Sequence, residues 1–234
     1  MKPTEEAIVL AGGFGTRLRA VVSDVPKPLA LVAGRPFLAW LLDGLAESGI
    51  RRCVLATGYL AEQVEAQIGA RWRGMDIAYS VEPEPLGTGG AIRLAADRLL
   101  GESVHVLNGD TWLKYSPSAL ETMASKEGVQ MAMALAHMED VGRYGAVEIR
   151  ASRAVGFLEK GRTGPGWINA GCYFLGKDAL RELPAATAFS FERDVLQPGA
   201  RLGKVAAYTE TTGFIDIGVP EDYARAQSLF AEGE

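Results

Sequence analysis

In the first half of the chain, short apolar runs alternate with longer stretches of helical spacing. AIVLA (Ala7–Ala11), RCVLAT (Arg52–Thr57), DIAYSV (Asp76–Val81) and Val104–Leu107 read as strands. Between them, PFLAWLLDGLAES (Pro36–Ser48), Ala61–Trp72 and TGGAIRLAADRLL (Thr88–Leu100) read as helices. The first has a proline in its opening turn and Gly49 as its stop. Strands that are apolar along their whole length need cover on both faces, and strand–helix–strand order builds a parallel sheet with right-handed crossovers. The predicted class is α/β, a Rossmann-like, mixed but mainly parallel sheet flanked by helices.

The second half changes character. Gln130–Ala136, Ala146–Ile149, Val155–Leu158 and Ile168–Leu175 are strand candidates with few helices between them, which predicts antiparallel or mixed additions to the sheet. Pro220–Ala231 reads as a closing helix, because Tyr223, Gln227 and Phe230 sit at helical spacing. No linker rich in Pro, Gly or Ser divides the halves and no repeat is visible. The 234 residues therefore read as one domain with two lobes, roughly 1–115 and a strand-rich 116–234.

Composition narrows the function. A net charge of −5, with no basic run, disfavours nucleic acid as a partner. Cys53 and Cys172 form no CxxC pair and read as reduced core thiols. His105 and His137 lack metal-ligand spacing and read as core or surface residues. The opening MKPTEEAIVLAGG has acids where a signal peptide needs bases, and no run is long enough to span a bilayer. No membrane partner and a cytoplasmic location are expected. Oligomeric state, a homo-oligomer included, stays open.

Two stretches carry anion-binding chemistry. In LAGGFGTRL (Leu10–Leu18), Gly12, Gly13 and Gly15 follow a predicted strand. Backbone N–H groups in such a loop form a nest for phosphate oxygens, and Arg17 adds a forked, permanent cation. The loop is neither GxGxxG nor GxxxxGK[ST]. VPKPL (Val25–Leu29) places Lys27 between prolines, which predicts a rigid extended segment rather than a helix. Taken alone, the first is equally a tight turn with a surface arginine, and the second a surface lysine in an irregular loop.

Together, AGGFGTRL followed by PKPL resembles the signature of the sugar-phosphate nucleotidyltransferases. The resemblance continues through EPEPLGTGGA (Glu82–Ala91), LNGD (Leu107–Asp110), FLEK (Phe157–Lys160), NAG (Asn169–Gly171), SFERD (Ser190–Asp194) and FIDIGVPEDY (Phe214–Tyr223), in the family's order. Within the family the pattern looks most like the branch acting on D-glycero-α-D-manno-heptose 1-phosphate and GTP. Mannose 1-phosphate with GTP, and an N-acetylmuramate or other sugar 1-phosphate with UTP, are rival substrate pairs. A regulatory subunit that senses nucleotide sugars is the non-enzymatic alternative. It would lack the loop arginine, the lysine or an aspartate, all of which are present here.

The resemblance implies that GTP and a sugar 1-phosphate give a GDP-sugar and pyrophosphate, with the 1–115 lobe binding nucleotide and the 116–234 lobe the sugar. Arg17 and Lys27 are the implied catalytic cations. Leu10, Ala11, Gly12, Gly13, Gly15, Thr16, Glu82, Gly87, Thr88 and Asp110 would border the nucleotide. Lys160, Asn169, Gly171 and Glu192 would bind the sugar phosphate, and Asp110 with Asp216 would hold Mg²⁺. Two local expectations accompany these roles. Gly87 would let the main chain lie against a flat base, and Thr88 would cap the following helix. A carboxylate at Glu82 could accept from both guanine N–H groups, where uracil offers only one imide N–H, and this favours GTP. Many family members follow EK with proline, whereas here Gly161 and Arg162 follow. Trp167 reads as a core residue, and Arg143 and Tyr144 in GRYG lie in a loop near the site with no assigned role.

Overall fold

β1 (Glu6–Leu10) lies inside a sheet covered on both sides. Ala7 and Val9 belong to one core, Ile8 to the other, and all three are fully buried. The run carries no polar alternation because neither face meets water. The structure, a computed structural model, describes residues 3–13 and 25–231. Gly15, Thr16 and Arg17 fall outside the described residues.

A 3-10 turn, Lys27–Leu29, leads to the small hairpin β2 (Leu31–Val32) and β3 (Arg35–Pro36). There follow α1 (Phe37–Glu47), β4 (Arg52–Thr57), α2 (Ala61–Ile68), β5 (Arg71–Trp72), β6 (Met75–Val81), α3 (Gly87–Ala96), β7 (Val104–Asn108), β8 (Thr111–Lys114) and α4 (Pro117–Glu127). The later part comprises β9 (Met131–Met138), β10 (Val147–Arg150), β11 (Arg153–Phe157), β12 (Gly166–Leu175) and α5 (Lys177–Arg181). A π-helical turn, Glu192–Leu196, then continues into α6 (Gln197–Arg201), and β13 (Val205–Tyr208), β14 (Thr212–Asp216) and α7 (Pro220–Ala231) complete the order.

One ten-stranded sheet runs β10-β11-β13-β9-β12-β7-β1-β4-β6-β5. β7, β1, β4 and β6 are parallel, as their βαβ spacing predicts. β12 runs antiparallel between β7 and β9, and β13 is parallel to β9, so the later strands are mixed additions. α1 buries Leu38, Leu41, Leu42 and Leu45 on one face of the sheet, and α3 buries Ala91, Ile92 and Ala95 on the other. The chain leaves β1 toward β4 on one side and later places β7 on the other. Such a switch point opens a crevice at the C-terminal strand ends, where Ala11–Gly13 follow β1.

Several boundaries differ from the sequence reading. α2 stops at Ile68, because Gly69 adopts positive φ and Arg71–Trp72 turns back as β5 against β6. α3 ends at Ala96 rather than Leu100. α4 was not expected in the strand-rich half. Ser116 caps it by accepting from the Ala119 N–H at 3.3 Å, Pro117 opens it, and Gly128 closes it. A two-stranded ladder of β8 and β14 also stands outside the main sheet, pairing Ile215 with Trp112 and Asp216 with Thr111.

Both cysteines are buried and unpaired, and burial pushes each thiol up to about 12. No helix among the described residues is long and apolar enough to cross a membrane. His105 is fully buried on β7, and neither ring nitrogen has a hydrogen-bond partner among the described residues. Burial pulls its pKa down from 6.5 to about 4, so the folded protein holds it neutral. The unfolded chain takes up this proton near the ordinary histidine value, and the folded chain does so only near 4. Stability therefore falls as pH drops through that window, by about 3 kcal/mol from this residue. His105→Leu should flatten that part of the curve when unfolding free energies are measured between pH 7 and pH 4. Identical slopes for the two proteins would contradict the assignment.

Candidate active site

Two cavities meet at the C-terminal end of the parallel strands. The first, of about 300 Å³, is walled by Leu10, Ala11, Gly12 and Gly13 after β1, and by Glu82, Gly87 and Thr88 at the start of α3. Lys27, Asn108 and Asp110 also line it. The second, of about 350 Å³, is lined by Lys160, Asn169, Gly171, Glu192 and Asp216. Leu10, Thr88, Asn108 and Asp110 belong to both. All the predicted site residues within the described chain thus converge on one continuous cleft.

Lys27 lies at the junction. Its ammonium donates to Asp110 Oδ2 at 2.5 Å and stands 3.9 Å from Asp216 Oδ1, with its side chain only 10 % exposed. Asp110 follows β7, and Asp216 ends β14 opposite Thr111 of β8. The Asp216 carboxyl is pushed up by burial and by the Asp110 charge, and pulled back by Lys27 and the Gly218 N–H. The extended segment expected around Lys27 is not observed. Lys27 opens a 3-10 turn with Pro28 in its second position, where the missing N–H costs no helical hydrogen bond. The turn aims a short tether at the carboxylate pair.

Among the described residues, no group of three or more His, Cys, Asp and Glu side chains is arranged to hold a metal. The donor set that is present, Asp110 and Asp216, offers only hard carboxylate oxygens. Such a pair suits a divalent ion that takes its remaining ligands from phosphate and water, as Mg²⁺ does. The residues fit the ion.

The wall of the first cavity has its own logic. Glu82 is half-buried, and burial raises its carboxyl while the Leu86 N–H, donated to Oε2 at 3.0 Å, lowers it. A Cβ on Gly12 would lie 2.4 Å from Glu82 Oε1, so glycine there makes room for the carboxylate. Thr88 is not the cap of α3. The helix begins at Gly87, and the Thr88 hydroxyl accepts from the Phe191 N–H at 2.9 Å, tying the two cavities' walls together. Gly87 has φ +69°, and a Cβ there would lie 2.6 Å from the Phe189 carbonyl oxygen. Close approach of that backbone requires glycine at this position.

In the wall of the second cavity, β12 bulges between Asn169 and Cys172. Gly171, at φ +71°, forms the bulge, and its N–H donates to Asn169 Oδ1 at 3.1 Å. That bond orients the Asn169 amide, whose Nδ2 donates to Glu192 Oε2 at 3.0 Å. SFERD folds as a capping exchange: the Ser190 hydroxyl accepts from the Arg193 N–H at 3.2 Å, and Asp194 accepts from the Ser190 N–H at 2.8 Å. Glu192 opens the π-helical turn, a form of helix frequent at functional sites. Trp167 packs edge-on to His137 with centroids 5.1 Å apart and is partly buried against the core.

The sequence reading missed Asn108, which lines both cavities. Its signal was in LNGD: two residues before Asp110 at a strand end, it shares that residue's side. Phe214, two residues before Asp216, was missed in the same way and lines the second cavity.

The nucleotidyl transferase family model matches residues 6–233. The chain belongs to that family. It is 40% identical over 222 residues to the D-glycero-α-D-manno-heptose 1-phosphate guanylyltransferase of Aneurinibacillus thermoaerophilus, covering 95% of this chain and 96% of the relative. It is 34% identical over 233 residues to a mannose-1-phosphate guanylyltransferase of Mycobacterium tuberculosis, covering 97% of this chain and 65% of the relative. The crystal structure of HddC from Yersinia pseudotuberculosis complexed with GMP-PN superposes with a TM-score of 0.83 at 35% identity, covering 97% of this chain and 100% of HddC. The family's nucleotide-diphospho-sugar transferase fold is thus the fold of this chain.

Within it, a Cβ at Gly171 would meet Asn108 Nδ2 at 2.5 Å as well as straining the backbone. Gly171→Ala should destabilise the protein by roughly 1–3 kcal/mol in denaturant unfolding, and an unchanged midpoint would show that the bulge relaxes freely.

Proposed function

We propose that this enzyme transfers the guanylyl group of GTP to a sugar 1-phosphate, with D-glycero-α-D-manno-heptose 1-phosphate as the acceptor, and releases pyrophosphate. The observation that carries the reading is the junction of the two cavities, where Lys27 stands between Asp110 and Asp216. The similarity to the heptose-specific relative over nearly both full lengths supports the acceptor. Mannose 1-phosphate is the second reading, favoured by the similarity to the mannose-specific relative. A cytoplasmic location accompanies a nucleoside triphosphate substrate.

An oxygen of the sugar phosphate attacks the α-phosphorus of GTP. The new O–P bond forms as the bond from the α-phosphorus to the oxygen bridging to the β-phosphorus breaks, and pyrophosphate departs with that oxygen. A phosphate monoester has its second pKa near about 6, so the nucleophile is mostly dianionic at neutral pH and needs no general base. What remains is to bring anions together and hold them in line. Gly12 and Gly13 present the main chain to the triphosphate, and Arg17 of the same loop supplies a fixed cation to the departing pyrophosphate. Lys27 meets the charge that builds at the α-phosphate. Lys160 grips the incoming phosphate, and Asn169 with Glu192 reads the sugar hydroxyls. Glu82 faces the guanine, leaving Oε1 as the oxygen free of the Leu86 bond.

Asp110 and Asp216 would hold Mg²⁺, which supplies charge neutralisation to the phosphates when bound. This arrangement makes Asp110 indispensable to turnover but not to folding. Asp110→Asn should unfold like the wild type and lose about 10²–10³-fold in kcat. The reading as a whole is tested by pyrophosphate release across four nucleoside triphosphates and a panel of sugar 1-phosphates. GTP with the heptose should react fastest. Preference for mannose 1-phosphate would favour the second reading, and silence with every pair would overturn both.

A further inference from the structure

Residues 139–146, between β9 and β10, send Arg143 and Tyr144 into the wall of the sugar cavity. On one side this loop is stitched to the FLEKG segment. Gly161 N–H donates to the Gly142 carbonyl at 2.8 Å, and Leu158 N–H to the Ala146 carbonyl at 2.7 Å. A Cβ at Gly145 would lie 2.8 Å from the Leu158 oxygen and 3.7 Å from Lys160 Cγ, so the loop backs directly onto the lysine.

On the other side the same loop is fastened to the region of Asp216. Arg143 donates to Asp222, in the first turn of α7, and Tyr144 donates to the same carboxylate oxygen at 3.3 Å. The Asp222 side chain is only 8 % exposed. The Arg143 guanidinium lies over the Tyr144 ring at 4.5 Å, and that ring meets Phe214 edge-on at 5.5 Å. Burial, with the Asp222 charge, pushes the Tyr144 hydroxyl up to about 12, so it remains a donor. Phe214 and α7 flank Asp216 in the chain, and the turn joining them is set by Gly218 N–H donating to Asp216 Oδ1 at 2.7 Å.

We propose that the Arg143–Asp222 pair is the joint that fixes Lys160 and Asp216 relative to each other across the sugar cavity, which makes Arg143 a positioning residue for the acceptor phosphate. Arg143 stands in the cavity wall, yet its charge is committed to a carboxylate behind it. A pair that served only stability would gain little from a guanidinium 44 % exposed, with Arg225 already 3.3 Å from the other Asp222 oxygen. Fixing the group that grips the acceptor phosphate relative to one that would hold the metal accounts for both facts, because displacements of about 1 Å at such a site cost about 10² in rate.

The inference rests on the guanylyl-transfer reading. The experiment uses the full chain and compares wild type, Arg143→Ala, Asp222→Asn, the double variant and Arg143→Lys. Initial rates give KM for each substrate, calorimetry without added metal gives sugar 1-phosphate affinity, and thermal unfolding gives stability. Arg143→Ala and Asp222→Asn should each raise KM for the sugar 1-phosphate and weaken its metal-free binding about tenfold, with KM for GTP changed much less. The double variant should be no worse than either single one, and Arg143→Lys should recover part of the loss. If Asp222→Asn binds and turns over normally while Arg143→Ala does not, Arg143 touches the phosphate itself and the joint is wrong. If KM for both substrates and the melting temperature shift together, the pair is a general stabiliser and the inference is equally wrong. An inactive wild type would sink the guanylyl-transfer reading and this inference with it. An active wild type with unequal single variants would sink this inference alone.

Discussion

Two carboxylates brought close together in a partly buried cleft repel each other, and the arrangement persists because a lysine ammonium sits against both. Asp110 and Asp216 come from segments more than a hundred residues apart in the chain, and the Lys27 ammonium lies within 3.9 Å of both carboxylates. The burial and like-charge repulsion that push the Asp216 carboxyl upward show how unfavourable the pair is without a cation. The same imbalance is useful. A site that keeps two negative charges against one positive charge suits a divalent ion whose shell is completed by phosphates.

The fold exists to make that meeting place rigid. The main sheet delivers Leu10 through Gly13 and Asn108 through Asp110 from adjacent parallel strands, both buried on two faces. The β8–β14 ladder then returns Asp216 to Asp110 from the far end of the chain, and Ile217 N–H donates to the Asp110 carbonyl at 3.0 Å. Asn169 and Gly171 of the second cavity hang on β12, which pairs with β7, the strand that brings Asn108 to both cavities. Thr88 and Phe191 close the circuit between α3 and the Glu192 turn. Both cavities are thus lined by groups anchored to one sheet, which suits the proposed reaction, whose difficulty is alignment and charge rather than proton transfer.

Much of this was legible in the sequence. Strands such as Arg52–Thr57 and helices such as α7 match because their periodicity is strong and their neighbours are local. α4 was missed although Ser116, Pro117 and Gly128 mark its ends, since only Pro117, Leu120 and Ala124 are buried and the apolar stripe is thin. β8 and β14 were missed for a different reason. Each is short, and what makes them strands is pairing with a partner about a hundred residues away, which no local pattern reveals. At the site, motif resemblance located residue types but not their reasons. Gly87, expected beside a base, is required by the Phe189 backbone as well, and Thr88 was assigned to a cap and instead bridges two loops. Tertiary contact decided both, and neither left a trace in the spacing.

The central claim is that Asp110, Lys27 and Asp216 together form one receptor for a metal–nucleotide complex. It is tested most directly by titrating Mn²⁺ against the wild type and Asp216→Asn, with and without GTP, and following water-proton relaxation. The account predicts that GTP strengthens Mn²⁺ binding to the wild type and that the substitution weakens the ternary complex more than about tenfold. Equal Mn²⁺ affinity in the two proteins, with GTP present, would contradict it.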